Sequence, residues 1–490
     1  MRAVNVMFDT LCLRYLQNYG NEWIHTPNFQ RLSTHCQQFE NFYGGSMPCM
    51  PARRELHTGM YNFFHRSWGP LEPFDFSVYE CLGKHGIYTH LVTSHAHYLE
   101  DGGATYHNRY STWELYRGQE GDRWTPQDYG KIPSGRSSLN KTGSISVQQH
   151  YANLTREPSE DDMSSVKTFR SGEEFIVRHK DKDNWYLQIE SFDPHEPFTV
   201  PDHYRHMYDL MNDPQFDWPA YGPVDTVNNK DAISQMRREY AALVTMCDHY
   251  LGEVLDLFDK YNLWKDTMLI VNTDHGFLLG EHDLLGKNFP PMYQELIHLP
   301  FFIHIPGAGS GTRKALCQTV DIAPTLLDYF GIHEDVEMDG KSLLPVIHDD
   351  QDIHDYAVFG VHGSCVGITD GRWKYFRANV NRDNRPFAEY TLMPTNMRGF
   401  FDRDNLEQAQ LVNGGRFTHN MPCLRVPVKT IYNSYRYGNL LFDVSNDPEE
   451  SDNLVNEKPD ICRKMENALT GIMTQVGAPD EEFIRLGLQK

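Results

Sequence analysis

Met268-Leu269-Ile270-Val271-Asn272 leads directly into Thr273-Asp274-His275-Gly276. A short, mainly apolar, β-prone run that ends on an acid and a histidine reads as a buried strand delivering polar chemistry at its carboxyl end. The arrangement recurs outward along the chain. Ala3 to Phe8 ends at Asp9, Thr89 to Thr93 at Ser94-His95-Ala96-His97, and Trp185 to Glu190 shortly before Asp193-Pro194-His195. Phe301 to Ile305 reads as a further strand. Between them lie helical stretches, among them a long amphipathic one from Asp231 to Phe258. A shorter one runs from Asp321 to Phe330, where Asp321 is expected to cap the start and Gly331 the end. This alternation predicts an α/β fold, a large mainly parallel sheet sandwiched by helices, with the ligand site at the carboxyl ends of the strands.

After about residue 350 the pattern changes. Ala357 to Val361, Cys365 to Thr369 and Trp373 to Phe376 are strand-like, with a turn at Asp370-Gly371, and Pro459 to Val476 reads as a terminal helix. We therefore expect a catalytic α/β domain over 1–350 and a smaller α+β subdomain, an antiparallel sheet plus a helix, over 351–490. The polar stretch 126–165, rich in Ser, Gly and Asn, reads as an excursion or lid over the active-site face.

Composition narrows the partners. Forty-five Lys+Arg against 67 Asp+Glu give a formal charge of -22, a field that repels nucleic acid and anionic membranes. A small anion remains possible, because a few local cations and a metal decide that binding. Hydrophobic residues at 40% and charged residues at 23% are enough for a packed core. No apolar run approaches the ~20 residues needed to cross a bilayer, and the apolar start, residues 1–8, is too short for a signal-peptide core. Nine cysteines without CxxC pairs indicate neither a zinc module nor a disulfide framework, so the expectation is reduced thiols in a cytoplasm.

The most specific segment is Cys49-Met50-Pro51-Ala52-Arg53, continuing Arg54-Glu55-Leu56-His57-Thr58-Gly59. Pro51 suits the first turn of a helix, which puts residue 49 at a helix N-terminus, where backbone N–H groups stabilise an oxyanion, with Arg53 one turn later. An isolated cysteine before a helix is usually an inert core residue. This whole pattern, however, resembles the signature of the sulfatase family, an alkaline-phosphatase-like group. The resemblance implies that Cys49 is oxidised by a maturase to formylglycine, whose hydrate attacks sulfur with one hydroxyl and expels sulfate with the other.

The same resemblance assigns the rest of the site. Asp9, Asp274 and His275, with residue 49, are implied to bind one divalent metal; two carboxylates and an imidazole suit Ca²⁺, Mn²⁺ or Mg²⁺, the imidazole tilting the choice towards Mn²⁺. Lys287, a dozen residues past Asp274-His275, is implied to contact the ester, and His195 to assist the leaving group. Thr10 stands where the family commonly has a second aspartate, and either supports the metal site or does nothing. Thr93-Ser94-His95-Ala96-His97 lacks the family's Gly-Lys. His97 is the preferred match to the family histidine, with His95 in place of the lysine, both on one side of an extended segment contacting one sulfate. His282 reads equally as structural, and Tyr98, Tyr106, His107 and Arg109 either line the pocket or pack their loop.

Leu441-Phe442-Asp443-Val444 with Asp447-Pro448-Glu449-Glu450, and Val320-Asp321-Ile322-Ala323-Pro324-Thr325, resemble two further family hallmarks, extending the likeness from residue 3 to about residue 455. The expected activity is hydrolysis of aryl or carbohydrate sulfate monoesters, small anionic esters. The closest rival is a phosphonate or phosphate monoester hydrolase with the same machinery. A non-catalytic binding protein would have lost its nucleophile or ligands, and all are present. The family also suggests a homo-oligomer, a dimer or tetramer through the C-terminal region.

Overall fold

A strand with parallel neighbours on both sides buries both faces, so it can be apolar throughout. That holds for the centre of the main sheet in the computed structural model, which describes residues 1–126, 139–141, 144–216, 218–288 and 291–490. Its strands are β1 (Arg2–Phe8), β2 (Gln37–Phe39), β3 (Tyr88–Thr93), β4 (Thr112–Leu115), β5 (Trp185–Ser191), β6 (Thr267–Thr273), β7 (Phe302–His304) and β8 (Gly311–Arg313). In space they run β8-β2-β7-β6-β1-β5-β3-β4.

Alternate side chains of the central strands enter two separate cores. Val4, Val6, Phe8, Ile189, Leu269 and Val271 pack on one face with α3 (Ser164–His179) and α4 (Lys230–Lys260). Ala3, Met7, Tyr186, Met268 and Ile270 face the other, covered by α1 (Cys49–Thr58), α2 (Val78–Lys84) and α5 (Ile322–Phe330). The helices on both faces follow from these strands being apolar at every second position on either side.

The sheet is parallel from β6 to β4, as expected. β7 differs: it pairs antiparallel to both β6 and β2. The reason lies just before it. Gly276 N–H donates to the Leu296 carbonyl at 2.9 Å, so the chain is already at the carboxyl end of β6 when β7 begins. With no crossover helix to carry it back, the strand has to run downwards. The short strands β2, β4 and β8 had no apolar run to announce them; most of β4 is exposed at the edge of the sheet.

The Asp321 expectation is corrected. Its side chain does not cap α5; the carboxylate instead accepts from Gln318 N, Lys341 N and His354 Nε2 at 2.7–2.8 Å, tying together the loops around the helix start. Gly331 does end the helix in the left-handed region, at φ 69°. Of the expected lid, residues 127–138 and 142–143 lie outside the described residues; the remainder includes a helix over Ile145–Leu154.

Beyond residue 350, β9 (Ala357–Gly360), β10 (Val366–Thr369), β11 (Trp373–Arg377) and β12 (Leu440–Asp443) form an antiparallel sheet in that order. Met465, Leu469 and Met473 of α6 (Pro459–Gln475) pack on Val366, Ile368 and Tyr375 of that sheet. The turn between β10 and β11 falls at Asp370-Gly371, Gly371 taking φ 88°. Among the described residues, no helix is long and apolar enough to cross a membrane.

Candidate active site

Sheet register fixes the first two acids. Phe8 of β1 lies beside Thr273 of β6, so Asp9 and Asp274 leave adjacent strands at the same level. Thr10 N–H closes the gap by donating to Asp274 Oδ1 at 3.1 Å, and Thr10 Oγ1 donates to Asp9 Oδ1 at 2.8 Å. Thr10 takes φ 69°, a costly conformation for a β-branched residue. It is held there by Tyr240 of α4, whose hydroxyl donates to the Thr10 carbonyl at 2.6 Å. Gly276 allows the Asp274-His275 loop to close, since a Cβ there would sit 1.9 Å from the Glu295 carbonyl oxygen.

α1 begins at Cys49 and ends at Gly59, which is left-handed at φ 65°. This places Cys49 Sγ 3.2 Å from His275 Nε2 and 3.9 Å from Asp9 Oδ1. One turn later Arg53, 1% exposed, makes four hydrogen bonds. Nη2 donates to Asp9 Oδ2 at 3.0 Å, Nη1 to Asp274 Oδ2 at 2.7 Å and to the Cys49 carbonyl at 3.0 Å, and Nε to Glu190 Oε1 at 2.6 Å. Tyr98 in turn donates to Glu190 Oε2 at 2.9 Å. Arg53 therefore locks the carboxylates together beneath residue 49.

Charge balance follows from these contacts. Burial alone would raise the Asp9 carboxyl, but Arg53 and its other cationic neighbours hold it well below the usual range. Burial lowers His275, leaving a neutral ring. Its Nδ1 faces the Gly276 carbonyl at 3.0 Å; a carbonyl only accepts, so Nδ1 carries the proton and the Nε2 lone pair faces Cys49 Sγ and Asp274 Oδ2, the latter at 3.4 Å. Burial, then the charge of Asp9, pushes the Cys49 thiol well up. As a cysteine, residue 49 is a poor nucleophile at neutral pH.

Lys287 Nζ stands 3.5 Å from Cys49 Sγ, 3.3 Å from Thr10 Oγ1 and 3.9 Å from Asp9 Oδ1. Burial opposes its charge, but Glu196 and the two aspartates push it up, so it stays cationic. His195 is buried and lowered, first by burial and then by Lys287. Its Nδ1 donates to the Glu196 carbonyl and lies 3.2 Å from Glu196 Oε2.

The two histidines of the Ser94–His97 segment stay edge to face, ring centroids 5.0 Å apart, but take different carboxylate partners. The chain turns into a 3₁₀ helix at Ala96, so the expected extended pair is not formed. His95 is fully buried with Nδ1 3.4 Å from Asp9 Oδ2. His97 instead engages Glu100 Oε2 at 2.7 Å through Nδ1 and Glu120 Oε2 at 3.3 Å through Nε2. Burial disfavours its charge, yet these carboxylates raise it to about 9.

Several sequence candidates have ordinary structural roles. His282 stacks on Tyr293 with ring centroids 3.7 Å apart and faces Glu295. Tyr106 donates to the Gly69 carbonyl at 3.0 Å, Arg109 pairs with Glu80 at 3.0 Å, and His107 packs edge-on against Trp113. Sequence reading passed over Glu190 and Glu120. Glu190 had a signal, a charge inside an otherwise buried strand; Glu120, in a polar loop, had none.

The donor set fits a divalent cation. One atom each from Asp9, Cys49, Asp274 and His275 lies within 4.8 Å of the others, and the His275 lone pair points at carboxylate oxygens with no proton between them. Such an arrangement of acceptors is what a bound cation relieves.

Comparison with known proteins bears on the family and the fold. A family model described as Sulfatase matches residues 3–332, and one described as N-sulphoglucosamine sulphohydrolase, C-terminal, matches residues 280–412. A choline-sulfatase of Rhizobium meliloti is 25% identical over 409 residues, covering 76% of this chain and 77% of its own. In fold, the chain resembles BT4656, solved in complex with its substrate D-glucosamine-2-N,6-O-disulfate, at TM-score 0.67 and 15% identity, over 98% of this chain and 99% of that one. It also resembles the phosphonate monoester hydrolase of Agrobacterium radiobacter, at TM-score 0.64 and 18% identity, over 97% and 96% of the two chains.

Proposed function

The chain belongs to the sulfatase family, and from that premise we propose that it hydrolyses sulfate monoesters through a formylglycine made from Cys49 and one divalent cation held by Asp9, Asp274, His275 and residue 49. The observation that carries this is the position of Cys49 Sγ, 3.2 Å from His275 Nε2 on one side and 3.5 Å from Lys287 Nζ on the other. A reactive atom there touches both a cation's ligands and a fixed positive charge. When present, the cation supplies Lewis acidity, and the formylglycine supplies, as its hydrate, a pair of hydroxyls in place of the unreactive thiol.

The remaining work falls to the protein. Lys287 neutralises the ester oxygens as they approach residue 49, in a site without bulk water where a fixed charge acts strongly. Arg53 keeps Asp9 and Asp274 aimed at the cation and reaches the substrate only through them. His195 stands on the leaving-group side. Its Nδ1 proton is committed to the Glu196 carbonyl, so Nε2 has to carry a second proton before it can donate to the departing oxygen. His95 flanks Asp9, and His97, an imidazolium between two carboxylates, braces the pocket wall. Conversion of Cys49 requires a formylglycine-generating maturase.

A cavity of about 1130 Å³ opens among residues 385–432, lined in part by Arg385, Glu389, Arg403, Arg425, Lys429 and Tyr432. Tyr432 links it to the site: it packs against the apolar cluster that contains Met47, two residues before Cys49. The size and polar lining of this space support a carbohydrate sulfate over a small alkyl sulfate. A phosphonate monoester is the second reading, favoured by the single aspartate at Asp9, with Thr10 in place of a second.

The test is kcat/KM for aryl sulfate, aryl phosphate and phosphonate monoester, measured side by side, with the mass of the peptide carrying residue 49 recorded on the same sample. Formylglycine at 49 with sulfate the best substrate is expected. Phosphonate leading would overturn the substrate class; full conversion with no cleavage above a Cys49→Ala control would overturn the enzyme reading.

A further inference from the structure

Away from the active site, Cys81 and His85 lie one turn apart at the carboxyl end of α2, opposite Glu334 in the loop after α5. Cys81 Sγ is 3.6 Å from Glu334 Oε1, and His85 Nε2 is 3.5 Å from the same oxygen. A ligand atom from each of the three lies within 4.8 Å of the other two. From this geometry we propose that Cys81, His85 and Glu334 form a second, structural metal site for Zn²⁺ or a similar borderline-soft divalent ion, separate from the catalytic cluster.

Three features support it. For tetrahedral zinc at ordinary bond lengths, the sulfur–oxygen edge is about 3.6 Å and the nitrogen–oxygen edge about 3.4 Å; the two distances to Glu334 Oε1 match both. The imidazole is oriented as a ligand is. His85 Nδ1 lies 3.0 Å from the Cys81 carbonyl, which only accepts, and 3.6 Å from Cys81 Sγ. Nδ1 therefore carries the proton and the Nε2 lone pair faces Glu334, and a small turn of the ring about the backbone contact brings Nε2 and Sγ to one ion; ligating histidines are commonly fixed through such a backbone contact. The mixed sulfur, nitrogen and oxygen donors differ from the catalytic set, whose family ligand is no longer a thiol once Cys49 is converted. They favour zinc over Ca²⁺ or Mg²⁺.

The competing cations nearby are already paired. Lys84 and Arg109 both bind Glu80, each at 3.0 Å. His85 and Glu334 are open to solvent while Cys81 is buried beneath them, so an ion can enter from outside and a water can complete the tetrahedron. Binding releases the thiol proton: the sulfur becomes a thiolate bonded to the ion, and the proton passes to solvent. The ion would pin α2, which leads into β3, to the loop that ends α5. It would act on stability and leave the chemistry at residue 49 alone.

The test uses the full chain carrying Cys49→Ala, so that the catalytic cluster offers no thiolate. The metal-stripped protein is titrated with Co²⁺ under reducing conditions and its absorption recorded, then with Zn²⁺ and its Tm recorded. A thiolate-to-cobalt charge-transfer band that Zn²⁺ displaces, absent in Cys81→Ser and weakened in the surface variant Glu334→Gln, is expected. Zn²⁺ at about 100 times its Kd should raise Tm by about 2–3 °C in the parent and by clearly less in both variants. A band that persists in Cys81→Ser, or no band in the folded parent, overturns the assignment. Glu334→Gln keeps the test decisive if Cys81→Ser folds poorly: a band and a Tm rise equal to the parent's would also overturn it. In the chain with Cys49 intact, ester hydrolysis by Glu334→Gln should match the parent whatever zinc does.

Discussion

Replacing Glu190 by Gln isolates the one negative charge on Arg53 that touches neither the expected cation nor the substrate. Glu190 is fully buried and holds Arg53 Nε at 2.6 Å. Gln keeps the volume and an accepting oxygen but removes the negative charge, so the guanidinium has to be balanced by Asp9 and Asp274 alone. Their charge is then spent more on Arg53 and less on the cation. At an effective dielectric near 20, two unit charges about 4 Å apart attract by about 4 kcal/mol. The hydrogen bond that Gln retains returns about 1 kcal/mol of this. The net loss is about 2–3 kcal/mol, which over 490 residues corresponds to a Tm lower by roughly 2–3 °C.

The same loss should appear in metal binding, with the apparent affinity down about 10–100-fold. The assay is ester hydrolysis against free metal concentration, together with thermal melts. Excess metal should recover most of kcat, since no group touching the ester has changed. Tyr98→Phe, which removes only the hydrogen bond to Glu190 at 2.9 Å, should shift both readouts the same way by about a third as much. An unchanged Tm and metal affinity in Glu190→Gln would refute the idea that Glu190 shares Arg53 with the aspartates. A kcat loss that metal does not recover would mean Glu190 acts on the reaction itself.

Lys287→Met removes the fixed charge beside residue 49 and should lower kcat/KM by about 10²–10³, with little change in metal affinity; a loss under tenfold would separate Lys287 from the ester. Chelation should abolish hydrolysis and lower Tm, and either Mn²⁺ or Ca²⁺ should restore both; activity that survives exhaustive chelation would remove the cation from the mechanism. Burial raises the Glu55 carboxyl to about 8, against an ordinary value of 4.5, outweighing its hydrogen bonds with Ser46 and Thr319. The folded state thus holds this proton more tightly than the unfolded one. The stability it confers is complete below about pH 4.5 and lost as pH rises through about 8. Tm against pH should therefore fall less steeply between about pH 4.5 and 8 in Glu55→Gln than in the parent, and parallel curves over that range would show that Glu55 is not buried as a neutral acid.

How much of this was legible in the sequence depends on whether a residue's role was set along the chain or across it. Asp9, Asp274 and His275 could be read because each ends an apolar run, and a parallel register puts such ends side by side. Cys49 and Arg53 share one helix, where a spacing of four fixes their relation. The antiparallel β7 could not be read, because its direction depends on the loop before it having already climbed to the Gly276 level. For His95 and His97 only the extended conformation was misread, for a similar reason: a single 3₁₀ turn at Ala96 leaves the two rings in contact, 5.0 Å apart, yet gives one to Asp9 and the other to Glu120. Glu190 is the instructive case. Its position in a buried strand was plain, but a lone charge there is costly unless paired, and its partner lies 137 residues earlier, in α1. A charged residue inside a run that otherwise reads as buried strand is thus itself a signal, and in this chain it points to the arginine that orders the site.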